Sequence, residues 1–498
     1  MGLTLDPMTL GELLHSRSTE NSAQTVLYCE DRTMSWEELD VSTTLLAGWF
    51  LDQGLRSGER VAIHWSNHIE TVQLFFGVWK AGLIAVPINI RLKPPEISYI
   101  LEHSQARMCF SEPALAQPGA LRELPRLEPR DVALPEVDPD QVAAIMYTSG
   151  TTARPKGVTH THRTLIEDSR LMAAAANRLN SHDRTLVITQ MMHAVGLYCT
   201  TLPTIQSGGS VVLLPAFDPA VVLDAIERFR CTYAFALPAL MHIVAEEQAR
   251  KPRDVGTLRT LLAGGDSVPV SLQERVQRLF GKPLQEAYGM TEVVPLIVTP
   301  KDAIRQGMMG VAAPEVQVRV VDLDDRDVPD GETGEIAVRS PGNCIGYWND
   351  PAATEALLCN GWLHTGDLAS RDVDGYYAFQ GRKKEIIIRA GSNVSPQEVE
   401  AALYEHPSVM EAGVVGMPDP ILGQRVIAFV SLRPADAPSE AELIEFARQR
   451  LADYKTPERV LFIEQLPKGL TGKVQRRALK EMLQVQPDLV EKRAVARV

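Results

Sequence analysis

The chain lacks the cysteine patterns that mark metal or redox sites. Its six cysteines, Cys29, Cys109, Cys199, Cys231, Cys344 and Cys359, form no CxxC and no Cys/His cluster with zinc spacing. They are expected to be scattered free thiols of a reducing compartment. An excess of positive charge is also missing. Lys+Arg 50 against Asp+Glu 63 gives a net charge of −13, which excludes a general nucleic-acid coat or a polybasic membrane binder. There is no long uninterrupted apolar run. The most apolar stretch, 72–90, contains Gln73, Lys80, Pro87 and Asn89, so it predicts a buried helix and a strand rather than a membrane span. The first ten residues have no basic region before an apolar stretch, and Asp6 stands where a myristoylation motif needs Ser or Thr. The last three residues, Ala496, Arg497 and Val498, are no peroxisomal address. A cytoplasmic location is the expectation. No internal repeat at a fixed period is visible.

What is present is a chain of ordinary globular composition. It has 498 residues, 45% hydrophobic and 23% charged, enough for a sizeable core and several domain-sized units. Ser35 and Glu38 form a capping-box pattern opening a helix at Trp36. Strands are expected at 61–64, 83–88, 143–147, 185–188, 210–214, 232–236 and 258–263, with helices such as 220–229 between them. This alternation predicts an α/β fold with largely parallel sheets. After about residue 310 the texture becomes antiparallel, with strands at 316–321, 334–338, 375–380 and 385–388. A second capping-box pattern, Ser395 to Glu398 with Pro396 at the first helical position, is expected to start another helix.

Four segments carry chemistry. The first runs from Tyr147 through Thr148, Ser149, Gly150, Thr151, Thr152, Ala153, Arg154, Pro155 and Lys156 to Gly157. Its hydroxyls, glycines and cations, with no acid, can wrap phosphate oxygens. It is not a Walker loop, since Pro155 and Gly157 occupy the positions of the second Gly and the Ser/Thr. The second is Tyr288, Gly289, Met290, Thr291 and Glu292, suited to a nucleotide, with a carboxylate able to hold Mg²⁺. The third is His364, Thr365, Gly366 and Asp367, followed by Gly381, Arg382, Lys383 and Lys384, where the carboxylate suits a ribose diol. The fourth is a basic glycine loop from Pro467 through Lys468, Gly469, Leu470, Thr471, Gly472 and Lys473 to Arg477. Each alone also fits a plain surface turn.

In this order and at these separations, the four segments resemble the AMP-forming acyl-CoA synthetases, the acyl-adenylate superfamily that includes 4-coumarate–CoA ligase and fatty acyl-CoA synthetases. The stretch 34–39, and Trp79 to Gly82 with Val86 and Pro87, resemble further family markers. The resemblance spans essentially the whole chain. It implies a large N-terminal adenylation domain of αβ-layered sheets plus a β-rich lobe (1–384) and a small mobile α+β C-terminal domain (385–498). It implies ATP, Mg²⁺ and coenzyme A, and two half-reactions: a carboxylic acid becomes acyl-AMP, and a thiol then displaces AMP.

By the same resemblance, Thr148, Ser149, Gly150, Thr151, Thr152 and Lys156 hold the β- and γ-phosphates. Thr291 bonds the α-phosphate, and Glu292 holds Mg²⁺. Tyr288, beside Gly289 and Met290, stacks on adenine, with Gly265, Asp266 and Ser267 lining the base. Asp367 and Arg382 hold the ribose. Lys473 is the catalytic lysine, Lys384 the hinge, and Gly391 lies on the thiol channel. His193 borders the carboxylate, and the acyl chain is expected against His193, Tyr233, Gly264, Ala287 and Gly289.

Tyr233, Phe235 and Leu237 alternate along a strand, so one face alone can line the pocket. No Arg or Lys in these segments can pair with a second carboxylate, which favours a hydrophobic monocarboxylate. Ala153, Glu385 and Gln424 depart from residues common in the family, usually Gly, often Asp and often Glu. Loading of an acyl carrier protein instead of CoA, a luciferase-like oxygenase and a catalytically silent nucleotide-binding scaffold stay open as alternatives.

Overall fold

The computed structural model describes residues 8–115, 118–148, 154–266, 268–390, 392–433, 438–468 and 474–485. The chain divides into two compact units, 1–318 with 337–365, and 319–336 with 366–498.

The first unit carries two sheets. A nine-stranded sheet has the order Val311–Ala312, Val293–Val298, Leu284–Met290, Thr260–Gly264, Tyr233–Ala236, Arg184–Val187, Ser210–Leu213, Thr25–Cys29 and Arg32–Ser35. Its central strands, from Leu284–Met290 to Ser210–Leu213, pair in parallel. The helices Pro219–Phe229, Pro238–Arg250 and Val270–Phe280 supply Val222, Met241, Val244, Leu272 and Val276 to a core that includes Leu186, Ala234, Ala236 and Leu261. A six-stranded sheet has the order Gly346–Tyr347, Lys156–Thr161, Val142–Thr148, Ile84–Pro87, Arg60–His64 and Met108–Ser111. The two layered sheets match the α/β expectation.

Local signals hold well here. Ser35 caps Trp36–Asp52, and Glu38 returns the bond to the Ser35 N–H at 2.7 Å. The apolar stretch 72–90 becomes the buried helix Ile69–Lys80 followed by the strand Ile84–Pro87. Lys80 is tolerated there because its ammonium donates to Asp40 Oδ1 at 2.5 Å, Asp40 O at 2.8 Å and Thr44 Oγ1 at 2.9 Å. Among the described residues no helix is long and apolar enough to cross a membrane. All six cysteines are free.

The β-rich lobe is a five-stranded sheet, Gln317–Val321, Thr333–Arg339, Trp362–Arg371 and Leu358–Cys359 in order, with Tyr377–Arg382 paired to Trp362–Arg371. In the second unit, Ser392–Val394, Ile387–Arg389, Gly423–Leu432 and Val409–Asp419 form another sheet, with Arg459–Phe462 parallel to Gly423–Leu432. Period-2 alternation fills both faces. Val414, Val426 and Ala428 pack with Val399, Leu403 and Leu443, whereas Val415, Ile427 and Phe429 pack with Leu479 and Leu483.

Two expectations are corrected. The strand expected at 385–388 begins only at Ile387, because the N–H groups of Glu385 and Ile386 both turn back to Arg382 O, at 2.8 and 3.0 Å. Ser395 does start the helix Pro396–Tyr404, but no capping box forms. The Glu398 carboxylate instead accepts from Lys455 Nζ at 2.6 Å, and Ser395 Oγ bonds Gln397 Oε1 at 3.2 Å.

Candidate active site

The two ends of the phosphate-type loop lie on paired strands. Val142–Thr148 pairs antiparallel with Lys156–Thr161, which sets Thr148 opposite Lys156. Ser149, Gly150, Thr151, Thr152 and Ala153 lie outside the described residues. The loop's two cations both sit on aromatic faces. Lys156 Nζ stands 4.7 Å from the ring centre of Tyr347, and the Arg154 guanidinium 5.5 Å from that of Tyr99. A ring face holds a cation without cancelling its charge.

A second hairpin belongs to the nine-stranded sheet. Met290 pairs with Val293, so Thr291 and Glu292 form its turn. Glu292 is 6% exposed, and its Oε1 accepts from the Tyr347 hydroxyl at 2.6 Å. Burial and the Glu292 charge push the Tyr347 phenol upward, which keeps it a donor. His160 Nε2 lies 2.8 Å from Thr291 O. A carbonyl only accepts, so Nε2 carries the proton. Burial lowers His160 to about 4, leaving a neutral ring. The Cys344 N–H donates to Glu292 O at 2.8 Å. His160 and the 344–347 segment therefore join the two hairpins, one from each sheet.

Gly264 ends its strand beside Ala287. A Cβ on Gly264 would lie 2.0 Å from Ala287 O and 3.0 Å from Phe235 Cζ, so only glycine fits that approach. Gly265 and Asp266 follow directly, Asp266 exposed, while Ser267 lies outside the described residues. Tyr288, Gly289 and Met290 are half-buried along the next strand. Glu286 precedes them, and burial together with the Asp266 charge raises its carboxyl to about 8.

Tyr233 is fully buried and donates its hydroxyl to Cys199 O at 2.8 Å. Ala234 and Ala236 belong to the helix-side core, so Tyr233 and Phe235 share the opposite face, as alternation predicts. His193 sits at the N-terminus of the short helix Ala194–Gly196, its Nδ1 accepting from the Val195 N–H at 3.2 Å. The preceding loop is held by buried Asn67, which donates to Thr189 O at 3.1 Å and accepts from the Met191 N–H at 2.8 Å.

Within the second unit, Asp367 lies opposite Arg382 across paired strands, with Oδ1 3.3 Å from Arg382 Nε. Asp367 is 6% exposed. The turn before it is fixed by Glu335, which accepts the Gly366 N–H at 3.0 Å and pairs with Lys383 Nζ at 2.9 Å. Lys384 is exposed in the following turn. Gly391 and Lys473 lie outside the described residues. Two of the three family departures have partners: Gln424 Oε1 accepts the Ile388 N–H at 2.8 Å, and Glu385 pairs with Arg476 at 2.8 Å.

The family model described as AMP-binding enzyme matches residues 14–348, and that described as AMP-binding enzyme C-terminal domain matches 398–473. The chain belongs to the AMP-binding enzymes. It is an AMP-forming acid–thiol ligase, of the ATP-dependent acyl- and aryl-CoA ligase family. It is similar to a feruloyl-CoA synthase of Amycolatopsis, 37% identical over 454 residues that cover 89% of this chain and 92% of the relative. A medium-chain fatty-acid–CoA ligase of Escherichia coli is 32% identical, covering 90% and 85% of the two chains. Among solved structures, an anthranilate–CoA ligase in complex with anthranoyl-AMP superposes with TM-score 0.90 at 27% identity, covering 97% of this chain and 99% of that one.

Three residues of this AMP-binding enzyme escaped the sequence reading: His160, Tyr347 and Asn67. Each acts on backbone or side chains distant in sequence. Gly346–Tyr347 is a two-residue strand, too short to show periodicity.

Proposed function

We propose that this AMP-binding enzyme activates a hydrophobic monocarboxylate and transfers the acyl group to coenzyme A. The observation that carries the substrate class is the acyl segment. His193, Tyr233, Gly264, Ala287 and Gly289, with their neighbours along 191–196, 233–237 and 287–289, include no Arg or Lys. A second substrate carboxylate would be left there without a cation, at the full desolvation penalty.

In the first half-reaction the substrate carboxylate oxygen bonds to the α-phosphorus of ATP, and the bond from that phosphorus to the bridging oxygen breaks. Pyrophosphate leaves with its electron pair. Thr148, Ser149, Gly150, Thr151, Thr152 and Lys156 hold the departing phosphates, and Thr291 bonds the α-phosphate. Lys473 brings a cation between carboxylate and phosphate, worth ~3–4 kcal/mol by analogy with a single oxyanion donor.

Tyr288 stacks on adenine beside Gly289 and Met290, and Gly265, Asp266 and Ser267 line the base. Asp367 and Arg382 hold the ribose diol. Glu292, a buried carboxylate with a hydroxyl donor already on one oxygen, fits Mg²⁺, which accepts one carboxylate with the rest of its ligands from phosphate and water. When bound, the ion supplies neutralisation of phosphate charge. In the second half-reaction a thiol attacks the acyl carbon, its proton is lost to solvent, and AMP leaves. Rotation at Lys384 replaces Lys473 with the Gly391 loop for that step, and 385–498 is the moving domain.

A second reading has its own support. A fatty acid–[acyl-carrier-protein] ligase of Streptomyces coeruleorubidus is 33% identical over 482 residues, so a carrier phosphopantetheine is the alternative thiol. ATP–pyrophosphate exchange over aryl and aliphatic acids, with and without CoA, tests both. Exchange with hydrophobic monocarboxylates and formation of their CoA esters is expected. Exchange with dicarboxylates alone would overturn the substrate class, and exchange without CoA-ester formation would favour the carrier.

A further inference from the structure

Glu292 and Lys156 come from different sheets, and one side chain touches both. The Tyr347 hydroxyl donates to Glu292 Oε1 at 2.6 Å. Lys156 Nζ lies 4.7 Å from the centre of the same ring. Tyr347 is itself tied down. Its N–H donates to Thr354 Oγ1 at 2.9 Å, and its strand pairs antiparallel with Lys156–Thr161, setting Tyr347 opposite Val158. On either side, the Cys344 N–H bonds Glu292 O at 2.8 Å and the Trp348 N–H bonds Gly157 O at 2.7 Å. The segment is therefore fastened to the backbone of both hairpins, and the ring lies where their functional side chains meet.

We propose that Tyr347 is a positioning residue of the adenylation step: its hydroxyl orients the Glu292 carboxylate for Mg²⁺, and its ring holds the Lys156 ammonium for the phosphates. This rests on the roles of Glu292 and Lys156 given above. A hard cation with strict octahedral geometry gains from a carboxylate fixed in orientation by a second hydrogen bond. A ring face, unlike a carboxylate partner, leaves the lysine charge available to an incoming phosphate. The two tasks fall on different atoms and are separable by substitution.

Tyr347→Phe removes the hydroxyl alone, and Tyr347→Leu removes the ring as well. Mn²⁺ is the probe, its binding to the full-length enzyme–ATP complex followed by electron paramagnetic resonance without acid substrate. The KM for pyrophosphate in the exchange reaction reads the Lys156 task. Tyr347→Phe is expected to weaken Mn²⁺ binding roughly tenfold, the scale of one charge-assisted hydrogen bond, with pyrophosphate KM unchanged. Tyr347→Leu is expected to add a roughly threefold or greater rise in pyrophosphate KM. Thermal unfolding checks both variants, and if Tyr347→Leu is unfolded the Tyr347→Phe result stands alone. Glu292→Gln separates the two layers of the argument. Weaker Mn²⁺ binding in Glu292→Gln but wild-type binding in Tyr347→Phe overturns the proposal. Wild-type binding in Glu292→Gln overturns the metal role of Glu292 itself.

Discussion

Glu286 makes the stability of this enzyme depend on pH in a direction opposite to that of a salt-bridged carboxylate. Burial first, and the Asp266 charge second, raise its carboxyl from 4.5 to about 8 in the folded chain. The folded state then keeps a proton that the unfolded chain releases, so unfolding becomes easier as pH rises. The contribution is fully present below 4.5 and is lost progressively towards pH 8. Taken at face value the gap corresponds to roughly 5 kcal/mol. The side chain is only half-buried, and solvent screening reduces this to about 2–3 kcal/mol. Glu286→Gln keeps the shape and the neutral form.

The assay is urea unfolding of wild type and variant at intervals from pH 5 to 9. The curves should nearly coincide at pH 5 and separate by pH 8, with Glu286→Gln the more stable. Asp266→Asn removes the second cause and should make the wild-type decline shallower. Parallel stability curves for wild type and Glu286→Gln across the whole range would refute the reasoning.

Arg476→Ala should loosen the second unit. It strips both Arg476 bonds, at 2.7 and 2.9 Å, from buried Glu400, which also accepts the Val414 N–H at 2.7 Å. An uncompensated buried carboxylate costs about 3 kcal/mol, so hydrogen exchange should rise in Pro396–Tyr404 and stay unchanged in Thr260–Gly264; equal protection in wild type and variant would contradict this. Lys473→Ala should abolish adenylation yet spare thioester formation from supplied acyl-AMP. Equal loss of both half-reactions, measured separately, would count against alternation of the C-terminal domain.

Much of the scaffold was legible because strand and helix signals here are local. The run at 143–147 is bounded by turn residues and appears as Val142–Thr148. Ser35 and Glu38 need only each other to cap a helix. Ser395 and Glu398 show the same pattern, but Lys455, far along the chain, takes the carboxylate. A pattern within four residues cannot report a competitor 57 residues away. The site followed the same rule. The motif around Thr291 and Glu292 stands out in the sequence, and it folds as the turn between Met290 and Val293. The groups that brace it, His160 and Tyr347, meet it across 131 and 55 residues, and no spacing in the sequence announces those encounters.

The segments 188–196, Leu237 and Gly265 follow the carboxyl ends of the neighbouring parallel strands Arg184–Val187, Tyr233–Ala236 and Thr260–Gly264. Those strand bodies are held by their helices on one side and by ladder bonds along their length, whereas the segment 188–196 beyond them is fastened by Asn67. The strands are thus held independently of the side chains at their tips. On the proposed placement of the acyl chain, a combinatorial library confined to 188–196 and Leu237, sparing Gly264 and Asn67, would explore new acids while the parallel strands keep their helix packing.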